Sequence, residues 1–260
     1  MIKSIHKASL ILKILSDCYP EGVKLERIAT LSEINKSTCV RILDALIEEQ
    51  LAERMQFAKY RLGAGCFHLT RSGKFDGSRL AICRPVLKWL HKMTGQTVLI
   101  SEIQNGTKYT VEYIESDIVL TRTMQGILVD NIYRTASGRL MMSHLDESKL
   151  FRVIERHGMP KSPEWKDFSS VAELLQELSK IRSMPTVFTS SPDGDRFICG
   201  IATKICDKNE MLGSLGIAYH SDLPDDTTGE EYKKLTRYLL KAAKEMNRRL
   251  LFEHDGGKNA

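Results

Sequence analysis

The run Leu25-Glu26-Arg27-Ile28-Ala29-Thr30-Leu31-Ser32-Glu33-Ile34-Asn35-Lys36-Ser37-Thr38-Cys39-Val40-Arg41-Ile42-Leu43-Asp44-Ala45-Leu46 decides the fold. Leu25, Ile28, Ala29 and Leu31 lie at helical spacing before a polar break, and Val40, Leu43, Leu46 and Ile47 after it. The break, Ser32 to Asn35, reads as a tight turn. Lys36-Ser37-Thr38 opens the second helix, which is expected to run to about Gln50. A supporting helix precedes the pair. Ser4 to Ser16 sets Ile5, Ala8, Leu12 and Leu15 on one stripe with Ser4 as N-cap, and Tyr19-Pro20-Glu21-Gly22 ends it. Two short helices joined by a brief turn behind a third form a helix-turn-helix.

Leu51-Ala52-Glu53-Arg54 and Tyr60-Arg61-Leu62-Gly63 follow as two short extended pieces separated by Met55 to Lys59, a small hairpin or wing. Residues 1–65 thus read as a winged helix. Residues 66–95 read as a linker and a linker helix. The linker, Cys66 to Ser78, is polar and contains Gly73 and Gly77. The helix carries Ile82, Val86, Trp89, Leu90 and Met93, and a start, kink or break is expected at Pro85. Residues 96–260 form the second domain. Asn105-Gly106 between the β-prone runs 96–104 and 107–116 is a hairpin signal, and Val119 to Met124 reads as a third strand. Helices are expected over Ser137–His157 and Val171–Arg182, the latter opened by a capping box of Ser170 and Glu173. Phe197 to Cys206 and Leu212 to His220 pair across Asp207-Lys208-Asn209-Glu210. A last helix begins at a second capping box, Thr228 with Glu231, and buries Leu235, Leu239, Ala242 and Met246. The whole is an α+β chain built on an antiparallel sheet.

Composition excludes more than it selects. With 260 residues, 42% hydrophobic and 27% charged, the chain is neither disordered nor membrane-spanning by pattern. Its net charge of +5 includes +3 within residues 1–77, a mild bias toward the winged helix. Cys18, Cys39, Cys66, Cys83, Cys199 and Cys206 are scattered, as expected of reduced thiols in a cytoplasmic protein. The seven histidines show no paired metal-ligand spacing, and no nucleophile elbow or phosphate loop is present, so no enzyme, metal or cofactor is expected.

The order of motifs resembles the IclR family of bacterial transcriptional regulators. The resemblance rests on Ser4-Ile5-His6-Lys7-Ala8-Ser9-Leu10, Leu25-Glu26-Arg27-Ile28-Ala29, Lys36 to Leu46 and Tyr60-Arg61-Leu62-Gly63. It continues in Gly95-Gln96-Thr97-Val98-Leu99, Thr135-Ala136-Ser137-Gly138-Arg139 and Cys199-Gly200-Ile201-Ala202. It covers nearly the whole chain. Asn35 stands where the family often has proline, and Ser190 to Asp195 matches the family's acidic loop poorly. The resemblance implies a winged helix reading double-stranded operator DNA and a GAF-like C-terminal domain sensing a small molecule. Rival readings are a metabolite-acting enzyme and a protein-interaction module carrying a winged helix.

Recognition helices place their N-terminal residues nearest the bases, so Lys36, Ser37, Thr38 and Arg41 are the expected DNA contacts, with Lys59 and Arg61 on the wing touching phosphate. The free N–H groups of a helix opening at Thr135 to Gly138 favour an anionic group. By resemblance, the donors fall at Ala136 and Ser137, and the pocket floor includes Gly200, Ile217 and Tyr219. Met124, Met141 and Tyr219 are expected to form an apolar wall. Arg122 supplies a charge if its side chain faces inward, which strand alternation leaves open. The expected ligand is a small organic acid. The expected assembly is a homodimer, or a dimer of dimers, joined through the first helix and the helix around Trp89.

Overall fold

A computed structural model describes residues 2–19, 21–66, 74–75, 77–116, 132–208, 210–225 and 227–256. The chain divides into two compact units, 1–73 and 74–260.

In the first unit, α1 (Lys3–Asp17), β1 (Val23–Lys24), α2 (Leu25–Ser32), α3 (Lys36–Glu48), β2 (Ala52–Arg54) and β3 (Lys59–Leu62) form a winged helix. Its sheet has the order β1-β3-β2. Helix α1 starts one residue before the expected cap: Ile2 occupies the N-cap and makes no side-chain bond there. The buried stripe is also shifted. Ile11, Ile14 and Leu15 are buried, whereas Ile5 is 64% exposed. Ile28, Cys39 and Leu43 complete the core from α2 and α3. Between them, Glu33 turns the chain through a left-handed conformation (φ 54) and Asn35 caps α3.

The second unit contains α4 (Gly77–Thr94), β4 (Thr97–Gln104), β5 (Thr107–Ile114), α5 (Ala136–Ser143), α6 (Glu147–His157) and α7 (Val171–Ser183). After these come β6 (Val187–Asp193), β7 (Arg196–Asp207), β8 (Glu210–Ser221) and α8 (Glu230–Gly256). The strands form one antiparallel sheet in the order β5-β4-β8-β7-β6. Asn105 and Gly106 both take positive φ (48 and 78), the turn that the β4–β5 hairpin requires. On one face, Val98, Ile100, Ile201, Leu215 and Ile217 pack with Leu87 and Leu90 of α4 and Leu235 and Leu239 of α8. On the other lies α5, whose Leu140 packs with Ala202 of β7, and α6 and α7 add Leu150, Val153, Leu174 and Leu178 to a further cluster.

Several expectations are corrected. Helix α4 runs through Pro85 without ending there. The long helix expected over Ser137–His157 is two helices, because Asp146 accepts a hydrogen bond from the Lys149 N–H (2.9 Å) and starts α6 afresh. The Ser170 cap is present, accepting from the Glu173 N–H at 3.2 Å, but the Glu173 carboxylate reaches Ser169 instead. Strand β6 was not expected. It forms the sheet edge, the position where Pro192 is tolerated. The strand expected over Val119–Met124 lies outside the described residues.

Candidate functional site

The opening of α3 is built around Asn35. Its Oδ1 accepts from the Thr38 N–H at 2.8 Å and from the Ser37 hydroxyl at 2.9 Å. This leaves the first amides of α3 pointing out of the helix. Lys36 and Ser37 are exposed and Thr38 is half-buried. The Lys36 ammonium lies 3.4 Å from Glu26, but both side chains are at least 60% exposed, so this pair is weak and open to exchange. Arg41, one turn along, is exposed and has no hydrogen-bond or ion-pair partner among the described residues. On the wing, the Lys59 ammonium donates to the Glu21 carbonyl (3.2 Å), and Arg61 pairs with Glu53, its partner in the strand register. The expected cations are therefore on one unit, though two are held by neighbours. The sequence reading passed over Lys24, which faces Lys59 across β1 and β3, and exposed Arg54, whose guanidinium stacks 5.8 Å from the Tyr60 ring centre. Replacing Asn35 with Ala removes the cap and is expected to lower unfolding stability by about 1 kcal/mol in a denaturant titration.

In the second unit a cavity of about 320 Å³ lies between the sheet and the start of α5. Helix α5 begins at Ala136. Thr135 caps it by accepting from the Gly138 N–H at 3.2 Å, and the first main-chain bond runs from Arg139 N to Thr135 O at 3.0 Å. The N–H groups of Ala136 and Ser137 precede that ladder. Their residues roof the cavity, and the floor is made of residues too small to fill it. A Cβ on Gly200 would lie 3.6 Å from the Ala136 methyl and 3.1 Å from the Thr189 hydroxyl, while one on Gly216 would lie 3.2 Å from the Ser137 hydroxyl. Leu99, Ile198 and Ala218 give apolar walls. Among the described residues Lys108, Arg134 and Asp193 supply the charged side chains of its lining. The Arg134 guanidinium donates to the Ser191 hydroxyl at 3.2 Å, and Asp193 lies 3.2 Å from the His220 ring.

The turn leading into the roof is held from behind. Arg139 donates to the carbonyls of Tyr133 (2.6 Å) and Glu164 (3.0 Å), and its guanidinium stacks 4.6 Å from the Trp165 ring centre. Burial lowers its pKa to about 10, so it stays charged at neutral pH. Cys199 is also at the cavity wall, and burial pushes its thiol up, away from the thiolate a nucleophile needs. Among the described residues no cluster of three or more His, Cys, Asp or Glu side chains is placed to hold a metal ion.

Of the expected ligand residues, Ala136, Ser137 and Gly200 meet at this cavity. Ile217 lines it too, but its side chain belongs to the cluster under α4 and α8. Tyr219 is a correction, since alternation along β8 turns Gly216 and Ala218 to the cavity and sends Tyr219 into that same opposite cluster. Met141 is another: it lines a separate cavity with His144, Lys149 and Lys204. Arg122 and Met124 lie outside the described residues. Lys108, Arg134, Thr189 and Asp193 were missed.

A winged helix and an α+β unit with a part-apolar, donor-roofed cavity define the architecture of a two-unit regulator. The model of the family described as bacterial transcriptional regulator IclR, C-terminal, matches residues 80–248. The chain belongs to this family. Over 151 residues it is 29% identical to the HTH-type transcriptional regulator TtgV of Pseudomonas putida, a match spanning 57% of each chain. Hence little more than half of that relative's length is matched. In structure the chain resembles the IclR transcriptional regulator from Alicyclobacillus acidocaldarius, with TM-score 0.62 and 20% identity over 96% of this chain and 99% of that one. It also resembles an IclR homolog from Microbacterium hydrocarbonoxydans complexed with 4-hydroxybenzoate, with TM-score 0.60 and 13% identity over 94% and 98% of the two chains. Among the described residues no helix is long and apolar enough to cross a membrane.

Proposed function

We propose that the chain is a cytoplasmic regulator that binds a specific double-stranded operator and whose affinity for it is set by a small organic acid. Helix α3 enters the major groove with Lys36, Ser37, Thr38 and Arg41 toward the DNA, and Lys59 and Arg61 of the wing contact phosphate. The acid sits in the cavity of the second unit. One winged helix is a small interface, so the active species is a homodimer reading two half-sites, with a dimer of dimers as the higher assembly.

The observation that carries this reading is the cavity: two main-chain donors at a helix N-terminus, a glycine floor and apolar walls. A carboxylate suits the donors, and a ring or alkyl body suits Leu99, Ile198 and Ala218. The complex of the Microbacterium homolog with 4-hydroxybenzoate supports an acid of that size. Binding controls DNA affinity only through a difference in affinity between two conformations, since equal affinity shifts nothing.

Two measurements test it. In a thermal-shift screen of small aromatic and aliphatic acids that includes 4-hydroxybenzoate, at least one raises the melting temperature of the full chain; none doing so counts against the ligand. Arg41→Ala is expected to weaken binding to a duplex enriched from a random pool by about 10- to 100-fold, matching about 1–3 kcal/mol for a bidentate base contact. If Arg41 meets phosphate alone, the loss is equal on every sequence and the salt dependence becomes shallower. A folded variant with unchanged affinity removes α3 from the interface.

A further inference from the structure

Among the described large apolar side chains that are exposed, Phe57 stands out at 84%. It sits on the turn Gln56–Ala58 that joins β2 to β3, with a left-handed backbone (φ 60, ψ 33), and Ala58 beside it has φ 54. Two consecutive non-glycine residues in that region hold an unfavourable conformation, which persists where function requires it. Packing does not offset it, because the ring stands in solvent.

The surroundings select the partner. The three strands beneath the turn carry Lys24, Arg54, Lys59 and Arg61 against the single acid Glu53, and Met55 to Ala58 adds no acidic side chain. An apolar tip on a cationic base complements a polyanion that also offers apolar surface inside its grooves. Duplex DNA does so in the minor groove, where phenylalanine wedges part base steps. Helix α3 and β2 are separated only by Glu49–Leu51, which is tied down by the bond from Leu51 N to Leu46 O (2.7 Å), so the wing is anchored to the C-terminal end of the recognition helix.

We propose that Phe57 is an apolar wedge that enters the minor groove flanking the sequence read by α3, and that its left-handed backbone holds the ring out for this purpose. The inference rests on the DNA-binding reading above. Its test uses the full chain and a duplex enriched by the wild type from a random pool. Phe57→Ala is expected to bind about tenfold more weakly, about 1.4 kcal/mol. The slope of affinity against salt stays unchanged because no charge is removed. Hydroxyl-radical protection of the minor groove beside the major-groove site disappears. Phe57→Leu stays within about threefold of wild type, since an aliphatic wedge also unstacks a step. Phe57→Gly loses as much affinity as the Ala variant while its melting temperature rises, because glycine adopts the turn freely. That pairing of higher stability with weaker binding is not expected of a residue serving the fold. An Ala variant with wild-type affinity and protection overturns the proposal. So does a loss of affinity that tracks a changed oligomeric state with the minor-groove protection retained. If the wild type enriches no duplex, the DNA-binding reading falls and this inference with it; if it does and Phe57→Ala matches it, the inference alone falls.

Discussion

Gly138→Ala is expected to destabilise the C-terminal unit by about 3 kcal/mol or more, a loss at the upper end of what overpacking produces. The residue is the third of α5, where alanine would ordinarily favour a helix over glycine. Contact with the preceding turn reverses that preference. A Cβ built on Gly138 lies 1.9 Å from the Ile132 carbonyl oxygen and 2.7 Å from its carbon, both main-chain atoms that no rotamer change moves aside. Ile132 is itself 1% exposed and packs among Tyr133, Met142 and Leu150. Relief therefore requires α5 to move off the segment that carries Tyr133 to Thr135. The Thr135 cap and the Arg139 bond to the Tyr133 carbonyl are strained together, and with them the roof of the cavity. In urea titrations monitored by circular dichroism, the Gly138→Ala variant unfolds at a much lower midpoint. The same change at Gly77 serves as a reference, since nothing lies within 4 Å of a Cβ built there and its φ is not left-handed. A Gly138→Ala midpoint equal to wild type shows that the turn and α5 are not packed as described.

The sequence exposed the winged helix more fully than the second unit, for a physical reason. Helices α2 and α3 are amphipathic around one small core, so Ile28, Leu43 and Leu46 announce their inward face. Strand β8 announces nothing. Residues 212–219 are all buried, because helices cover both sides of the sheet, and with no polar alternation Ile217 and Tyr219 cannot be told from Gly216 and Ala218. Helix α5 has the same defect: Ala136, Ser137, Gly138, Leu140, Met141, Met142 and Ser143 are all buried, so Met141 carries no mark of which cavity it meets. Lys108 was passed over because a lysine in a strand reads as a solvated residue, yet it is 4% exposed. The bulge between Ile100 and Ser101 then changes which β5 residues share a face. The Ser190–Asp193 stretch has the composition of a turn, and only its place at the sheet edge makes it a strand. Thr135-Ala136-Ser137-Gly138 was legible because a capped helix start needs little more than local chemistry.

That helix start gives the second large effect. Ala136→Pro is expected to reduce affinity for the acid identified in the thermal-shift screen by about 10- to 100-fold while leaving the fold intact, the loss of about 1.5–3 kcal/mol that follows when a hydrogen bond to a charged group is removed. The substitution suits this position better than the next one. Ala136 is the first helical residue, where proline's fixed φ is already that of the helix and its missing N–H breaks no ladder bond. Proline also restricts the residue before it to extended backbone, and Thr135 already has φ −101 and ψ 143. At Ser137 the same ring would press on Ala136, which must stay helical. The proline removes the Ala136 donor and places ring carbon where its hydrogen pointed. Ser137→Ala is the matching control, because it deletes the hydroxyl facing Gly216 and keeps the amide. Isothermal titration of both variants separates main-chain from side-chain recognition, with duplex binding in the absence of acid confirming that the winged helix is untouched. If the proline variant is folded and binds the acid as tightly as wild type, the anion is held elsewhere; if Ser137→Ala loses as much as the proline variant, the hydroxyl and not the helix N-terminus carries the contact.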